Sequence, residues 1–227
     1  MTKAILFGSI GTIIESSEIQ RAAFNDAFKT FELDWHWDRD SYTSMLTASG
    51  GKDRVQTYAA SRHQVVDADA IHAKKTALYR AALSNSHPEM RQGVPDVISH
   101  AQSTGCRLGF VTTTEKQTVD LIANSVGQKL GLTFDIVTFR MPSRPGKPDP
   151  AVYLDALARL EVAAQDAIAI EDNADGVTSA KSAGIQTIGF PGENTRADDL
   201  RAADCAAEND LLAALLDLRS TVTGPST

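Results

Sequence analysis

Short apolar runs that alternate with helix-like segments constrain the fold of this chain most strongly. Such runs lie at residues 3–7, 107–111, 135–138 and 167–170, and a further strand is expected at 185–190 after Gly184. Between them, apolar residues recur three and four positions apart, as in amphipathic helices, at residues 94–103, 115–129, 150–160 and 174–183. Strands that alternate with helices form βαβ crossovers. The pattern therefore predicts an α/β fold with a doubly wound parallel sheet.

One region interrupts this alternation. Residues 17–83 contain helical patterns and no convincing strand, which indicates an inserted helical cap domain. The α/β core domain is then made of residues 1–16 and 84–227. Because the insertion follows the first strand directly, we expect it over the carboxyl ends of the strands, where open α/β sheets bind ligands. It is a candidate lid.

The charge balance and the cysteine content bound the function. A formal net charge of -7 and an isoelectric point near 5.2 argue against nucleic acid as a partner. Cys106 and Cys205 stand about a hundred residues apart with no metal-binding spacing, so we expect two reduced thiols. The sequence contains no apolar stretch long enough for a membrane span, and its short N-terminal apolar run has no small-residue cleavage site, so we expect no cleavable leader. We expect a cytoplasmic protein that binds no membrane, and the oligomeric state stays open.

The opening segment ILFGSIGTIIESSEIQRAAFNDAF resembles that of the haloacid dehalogenase superfamily, in its CbbY and β-phosphoglucomutase-like (phosphoglycolate phosphatase-like) branch. In that family the first aspartate of a DxD motif attacks phosphorus and ligates magnesium, and the second is the general acid and base. The corresponding residues are Gly8 and Ile10. Neither side chain can attack phosphorus or carry a proton. Glu15 and Gln20 also depart from the usual aspartate and histidine.

Three downstream motifs of the family are retained in order. In GFVTTT, the resemblance implies that Thr112 bonds a phosphoryl oxygen and that Thr113 contacts substrate. In RPGKPDPAVYLDAL, it implies that Lys147 neutralises charge between phosphate and nucleophile. In IAIEDNADGVTSAKSAGI, it makes Glu171 and Asp172 the acids beside magnesium. With the other carboxylates missing, a Mg²⁺ cofactor would be held weakly, and we expect Asp172 to pair with Lys147.

The insertion carries family motifs of its own. The segment WDRDSYTSMLTASGGKDRV resembles the CbbY cap, which implies a substrate-contacting loop with Gly50, Gly51, Lys52 and Arg54. A second segment, AKKTALY, implies that Lys75 also faces substrate. Three cations suit a small phosphorylated metabolite such as a sugar phosphate or bisphosphate.

Each of these assignments has a simpler alternative. Thr112 can satisfy only the backbone around it, and the acids before NADG can cap the following helix. The cations of the insertion can form an ordinary solvated face. Ser9 is an unlikely replacement nucleophile because adjacent side chains of a strand point to opposite faces.

Three functions are compatible with these residues. The leading one is a catalytically impaired phosphatase-family protein that binds phosphate or a sugar phosphate. The second is an active phosphoric monoester hydrolase with a non-standard site, in which Glu15, Glu171 or Asp172 activates water. The third is a structural or interaction protein with a vestigial cleft.

Overall fold

The computed structural model describes residues 2–46, 50–86, 89–195, 200–207 and 210–222, with side chains to residue 219. The chain divides into two compact units. Met1–Glu15 and Glu89–Thr227 form the core unit, and Ser16–Pro88 form the second, which we call the insertion.

The core unit is built on a six-stranded sheet in which all neighbouring strands are parallel. Its spatial order is β3-β2-β1-β4-β5-β6. The strands are β1 (Ala4–Phe7), β2 (Arg107–Phe110), β3 (Ile136–Val137), β4 (Ala167–Glu171), β5 (Gln186–Gly189) and β6 (Cys205–Ala206). The predicted doubly wound α/β fold is confirmed.

The sheet differs from the sequence prediction at its two edges. The edge strand β3 keeps only two of the four residues expected, and β6 was missed altogether because two residues carry no periodic signal. The central strands β1 and β4 are buried over their whole length. A strand covered on both faces reads as a continuous apolar run, which is why these two were the easiest to find.

Besides a short 3₁₀-helix (Ala164–Asp166), ten α-helices accompany the strands in the described part of the chain. They are α1 (Ile10–Ile13), α2 (Ser17–Thr30), α3 (Arg39–Ser44), α4 (Gly51–Ser61), α5 (Ala68–Ser86), α6 (Val94–Thr104), α7 (Lys116–Leu130), α8 (Ala151–Leu160), α9 (Ala174–Ser182) and α10 (Leu211–Val222). The α9 helix ends as the sequence predicted, since Gly184 follows it at a φ of +78°. Only glycine adopts this left-handed conformation without strain.

The α8 helix shows how the core unit buries its apolar side chains. Its buried residues recur on one face of the helix and pack in a single cluster with residues of β1 and β4. Each large side chain buried in this way stabilises the fold by about 1.5–3 kcal/mol. The packing fixes the start of α8, and with it the loop that carries Lys147.

The insertion has a separate aromatic core. Phe24 and Phe28 of α2 pack against Trp37 with ring centroids 4.8 and 4.7 Å apart. Asn25 joins the same helix to the Trp37 backbone, because its amide donates to the Trp37 carbonyl at 2.9 Å and its carbonyl accepts from the Trp37 N–H at 2.8 Å. In the described residues of the insertion, only helices and loops occur.

None of the helices described is both long enough and apolar enough to cross a bilayer.

Candidate functional site

Lys147 is at the centre of a cluster where the carboxyl ends of β1, β2 and β4 meet. Its ammonium donates to the Glu171 carboxylate at 2.5 Å, to the Val111 carbonyl at 3.0 Å and to the Gly8 carbonyl. The Lys147 side chain is only 6% exposed and that of Glu171 is fully buried. The tertiary structure thus brings together three positions that the motifs singled out, Gly8, Lys147 and Glu171.

Tyr153 completes this cluster from α8. Its hydroxyl donates to the same Glu171 oxygen, Oε1, at 2.6 Å. Burial raises the pKa of Glu171 above its ordinary 4.5, although the lysine charge and both hydrogen bonds favour the ionised form. Burial and the neighbouring carboxylate raise the pKa of Tyr153 well above 10. Of the described atoms, none bonds the other Glu171 oxygen, Oε2.

The missing side chain at Gly8 is what makes room for Glu171. A Cβ placed on Gly8 would overlap the Glu171 carboxyl group and the Tyr153 hydroxyl at less than 3.0 Å, a distance that real Cβ atoms essentially never show. A Cβ on Gly176 would overlap the same carboxyl group from the other side. The Glu171 carboxylate therefore lies between two glycines, in the space that a side chain at position 8 would enter.

The neighbours of Gly8 provide no replacement nucleophile on this side of the strand. Ile10 opens α1 with an apolar side chain that is only 6% exposed. The Ser9 hydroxyl donates to Asp172 at 2.6 Å and so faces a different carboxylate from the one that fills position 8. Positions 8 and 9 both lie beyond the end of β1, and Ser9 is the N-cap of α1, so the strand alternation expected from the sequence does not apply, although the two positions do have different partners.

The expected pairing of Asp172 with Lys147 is wrong. The lysine bonds Glu171 instead, and Asp172 accepts from Ser9 and from the Asn173 amide at 2.8 Å. Glu171 is the last residue of β4 and Asp172 is the first residue beyond it, so the chain leaves the strand between these two acids and they have different partners. The helix-capping alternative applies to a third residue, Asn173, whose side chain accepts from the Gly176 N–H at 2.8 Å.

Thr112 and Thr113 lie in different surroundings. Thr112 is buried, and its hydroxyl bonds the Thr114 hydroxyl at 3.1 Å and the Thr114 N–H at 3.2 Å, so the local alternative accounts for these contacts. Thr113 lines a cleft of 260 Å³ with Arg140 and Arg144 from the loop after β3. Thr112 directly follows Val111, whose carbonyl accepts from Lys147, but the hydrogen bonds of Thr112 itself run to Thr114 and Thr138.

The carboxylates as they are placed do not fit a magnesium ion. A Mg²⁺ ion needs near-octahedral oxygen ligands, and Gly8 and Ile10 contribute no side-chain oxygen. Glu171 is bonded to a lysine and a tyrosine, and Asp172 to a serine and an amide. In the part of the chain that the structure describes, no three acidic, histidine or cysteine residues are grouped to hold a metal. The weak metal site predicted at Glu171 and Asp172 is not assembled in this arrangement.

The predicted loop of the insertion is described from Gly50 onward, and residues 47–49 of the quoted segment lie outside the described residues. Gly50, at a φ of +110°, precedes α4, and Gly51 begins it against His72. Lys52 pairs with Asp69 at 2.8 Å on the surface. A solvated ion pair of this kind matches the simpler alternative for Lys52.

Arg54 and Lys75, the other two cations predicted to face substrate, make contacts within the insertion. Arg54 donates to the Met45 carbonyl at 2.9 Å beside the Tyr42 ring, and burial lowers its pKa. Lys75 is 6% exposed, donates to Gln20 at 2.9 Å and lies 4.7 Å from the centre of the Phe24 ring. Arg54 and Lys75 are therefore integral to the packing of the insertion, whatever else they contact.

Sequence reasoning missed two residues of the core unit. Tyr153 stands in the quoted KPDPAVY segment, so a signal existed, but no role was assigned to it. Arg91 belongs to no motif. Its guanidinium donates to the carbonyls of Gly11 at 2.8 Å, Phe190 at 3.0 Å and Pro191 at 2.5 Å, which ties α1 to the segment after β5.

Comparisons with known proteins agree with this arrangement of motifs. The sequence profile of the haloacid dehalogenase-like hydrolases matches residues 5–190. The chain belongs to this family. Within it, the chain is 36% identical over 211 residues to Protein CbbY of Cereibacter sphaeroides, covering 90% of each sequence.

Solved structures of the family extend the likeness to the fold. CbbY from Rhodobacter sphaeroides in complex with phosphate has a TM-score of 0.81 and 34% identity, over 92% of this chain and 95% of that one. The same values hold for a CbbY mutant in complex with xylulose-(1,5)bisphosphate. This family member is therefore of the CbbY type.

Proposed function

We propose that this CbbY-type protein binds a phosphorylated sugar and does not hydrolyse it by the family's nucleophilic route. The observation that carries the proposal is at Gly8, where no side chain exists and the Glu171 carboxylate fills the space. The ligand class is suggested by the CbbY structures that contain phosphate and xylulose-(1,5)bisphosphate. The cytoplasmic location stays a prediction.

The chemistry expected of the family needs an attacking group, a proton carrier and positioned charge. Gly8 offers no attacking atom and Ile10 no proton. Lys147 alone is retained as positioned charge, and its ammonium is neutralised by Glu171. Loss of catalytic groups that act as a unit lowers kcat by several orders of magnitude, on the order of 10⁴–10⁶ in a well-studied protease.

The alternative of an active hydrolase with Glu171 as general base is less favourable. That carboxylate is fully buried and hydrogen-bonded to Lys147 and Tyr153, so water has no access to it in this arrangement. Asp172 is engaged by Ser9 and Asn173. Glu15 is engaged by the Glu193 N–H, from which it accepts at 2.9 Å.

A hydrolysis assay tests the absence of turnover. Purified protein is incubated with sugar phosphates, including a pentulose bisphosphate, and with p-nitrophenyl phosphate in the presence of Mg²⁺, and released phosphate is measured. We expect release at the background rate. Robust release by the wild type that the Lys147→Met variant loses would contradict the proposal.

Reconstitution gives the sharper comparison. Gly8→Asp with Ile10→Asp restores both missing carboxylates, and the new side chain at position 8 must push Glu171 out of its place. We expect Mg²⁺-dependent phosphate release to appear in this double variant. The single variant Ile10→Asp is the matched control, and it should stay inactive because it still lacks the attacking group.

Binding is tested separately from turnover. We expect a pentulose bisphosphate to raise the midpoint of thermal unfolding with increasing concentration, and the unphosphorylated sugar to leave it unchanged. If neither compound shifts the midpoint, the ligand part of the proposal fails and the vestigial-cleft alternative is favoured. The predicted roles of Thr113, Gly50, Gly51, Lys52, Arg54 and Lys75 in this binding stay proposals.

A further inference from the structure

We propose that Glu171 is an internal anion that competes with an incoming phosphoryl group for Lys147. The inference rests on the proposed binding of a phosphate ester and specifies what that ester must displace. It concerns the cluster of Gly8, Lys147, Tyr153, Glu171 and Gly176, all in the core unit.

The hydrogen bonds of Lys147 provide the first argument. An ammonium group has three protons to donate, and Lys147 directs them to Glu171, Val111 and Gly8. A phosphoryl oxygen can therefore reach Lys147 only by replacing one of these acceptors. Replacing Glu171 keeps one anion opposite one buried cation, whereas replacing a carbonyl would place two anions side by side.

The second argument is space. The Glu171 carboxyl group lies so close to Gly8 and Gly176 that neither position could carry even a Cβ without overlap. The Tyr153 hydroxyl closes another side at 2.6 Å. A phosphoryl group and the carboxyl group cannot share this volume.

The third argument is that Glu171 is held through one oxygen only. Lys147 and Tyr153 both donate to Oε1, while Oε2 is buried with no partner in the described structure. An unsatisfied buried acceptor is destabilising. Displacement of this carboxylate is therefore less costly than displacement of a carboxylate that is hydrogen-bonded through both oxygens. Glu171 can thus compete with a ligand without blocking the site permanently.

It follows that the native site discriminates against free phosphate. A simple oxyanion gains only the contacts that Glu171 gives up, so its net gain is small. A phosphorylated sugar makes further contacts through the rest of the molecule and can offset the displacement. Glu171 thereby sets how much of the ligand must be recognised before its phosphoryl group reaches Lys147.

Calorimetric titration with inorganic phosphate tests the competition. The wild type is compared with Glu171→Gln, which keeps the volume and removes the charge, at constant ionic strength. We expect Glu171→Gln to bind phosphate at least about tenfold more tightly, and Lys147→Met in that background to abolish the gain. Glu171→Ala is a second variant for which we expect the same gain in phosphate affinity. It keeps the test possible if Glu171→Gln does not fold.

Asp172→Asn is the matched control, since it removes an equal charge from a carboxylate that bonds Ser9 and not Lys147. Its gain should be much smaller. Equal phosphate affinity in the wild type and the Glu171 variants, no measurable binding in any of them, or an equal gain in Asp172→Asn would each overturn the inference.

Titration with a pentulose bisphosphate separates this inference from the proposed function. If the wild type binds the bisphosphate but the Glu171 variants gain nothing for phosphate, the competition is wrong and the proposed function stands. If the wild type does not bind the bisphosphate while the Glu171 variants gain affinity for phosphate, the proposed function is wrong and the competition stands.

Discussion

Because Gly8 has no side chain, it leaves space beside Lys147 for a neighbouring carboxylate. The Glu171 carboxylate occupies this space and is the counter-ion of Lys147. A buried ion pair of this kind adds little net stability, but removing one partner is costly because the other charge is left unpaired. The glycine at position 8 is therefore coupled to the placement of both Glu171 and Lys147.

Tyr153→Phe tests the strength of this buried cluster. The phenylalanine keeps the ring in α8 but removes the hydrogen bond to the Glu171 carboxylate. We expect a loss of about 1.5–3 kcal/mol in the free energy of unfolding at neutral pH, the range for a hydrogen bond to a charged group. Urea denaturation measures it. Tyr58→Phe is the control, because in the described structure the Tyr58 side chain makes only ring contacts.

The same variant predicts a pH dependence. The pKa of Tyr153 is raised in the folded state, so above pH 10 the unfolded tyrosine releases its proton first and the folded state binds more protons. The stability of the wild type relative to Tyr153→Phe should therefore be constant just below pH 10, where Glu171 does not titrate, and fall above it, by up to about 1.4 kcal/mol per pH unit. A stability difference that is constant or rises above pH 10 would contradict the assignment.

The cluster around Lys147 is positioned by the carboxyl ends of strands and by the beginnings of two helices. The strands β1, β2 and β4 deliver Gly8, Thr112 and Glu171 to one edge of the sheet because they are parallel and in register. The α8 helix contributes Tyr153, and the N-terminus of α9 contributes Gly176. The geometry of the cluster therefore depends on where α8 and α9 begin.

Asn173→Ala tests the start of α9. The alanine removes two hydrogen bonds: the N-cap hydrogen bond from the Gly176 N–H and the hydrogen bond that the Asn173 side-chain amide donates to Asp172. We expect a loss of about 0.5–2 kcal/mol in the free energy of unfolding, measured by urea denaturation. Asn173→Ser can still cap the helix, although it has no side-chain amide to donate to Asp172. If capping is the main contribution, the serine variant should retain most of the stability. If the serine variant loses as much as the alanine variant, capping is not the cause.

At the scale of the whole molecule, each of the two units has a hydrophobic cluster among its described residues. The core-unit cluster packs around the sheet, and the aromatic cluster lies within the insertion. Both tryptophans of the sequence, Trp35 and Trp37, are buried in the insertion. Tryptophan fluorescence therefore reports on the insertion, whereas far-ultraviolet circular dichroism reports on both units.

This separation predicts non-coincident unfolding. Leu6→Ala in β1 and Ile71→Ala in α5 each remove a fully or almost fully buried side chain, at a cost of about 2–5 kcal/mol. We expect Leu6→Ala to shift the circular dichroism transition more than the fluorescence transition, and Ile71→Ala to shift the fluorescence transition more. Equal shifts of both signals in both variants would show that the chain unfolds as one cooperative unit.

The sequence by itself determined the elements and the motif positions. Periodicity located the central strands, the helices around them and the helical region 17–83, because burial repeats every two or about 3.6 residues along the chain. Resemblance to the family in GFVTTT, KPDP and EDNADG pointed to residues near the site. Resemblance in the opening segment showed that Gly8 and Ile10 stand where the family has carboxylates.

Only the tertiary structure decided how those residues are paired. That Glu171 and not Asp172 bonds Lys147, that Tyr153 joins them and that the carboxylate fills the space at Gly8 depend on contacts across 18 to 139 residues of chain. No local pattern encodes such contacts. They follow from parallel strands that end side by side and from the course of the segments that leave those strand ends.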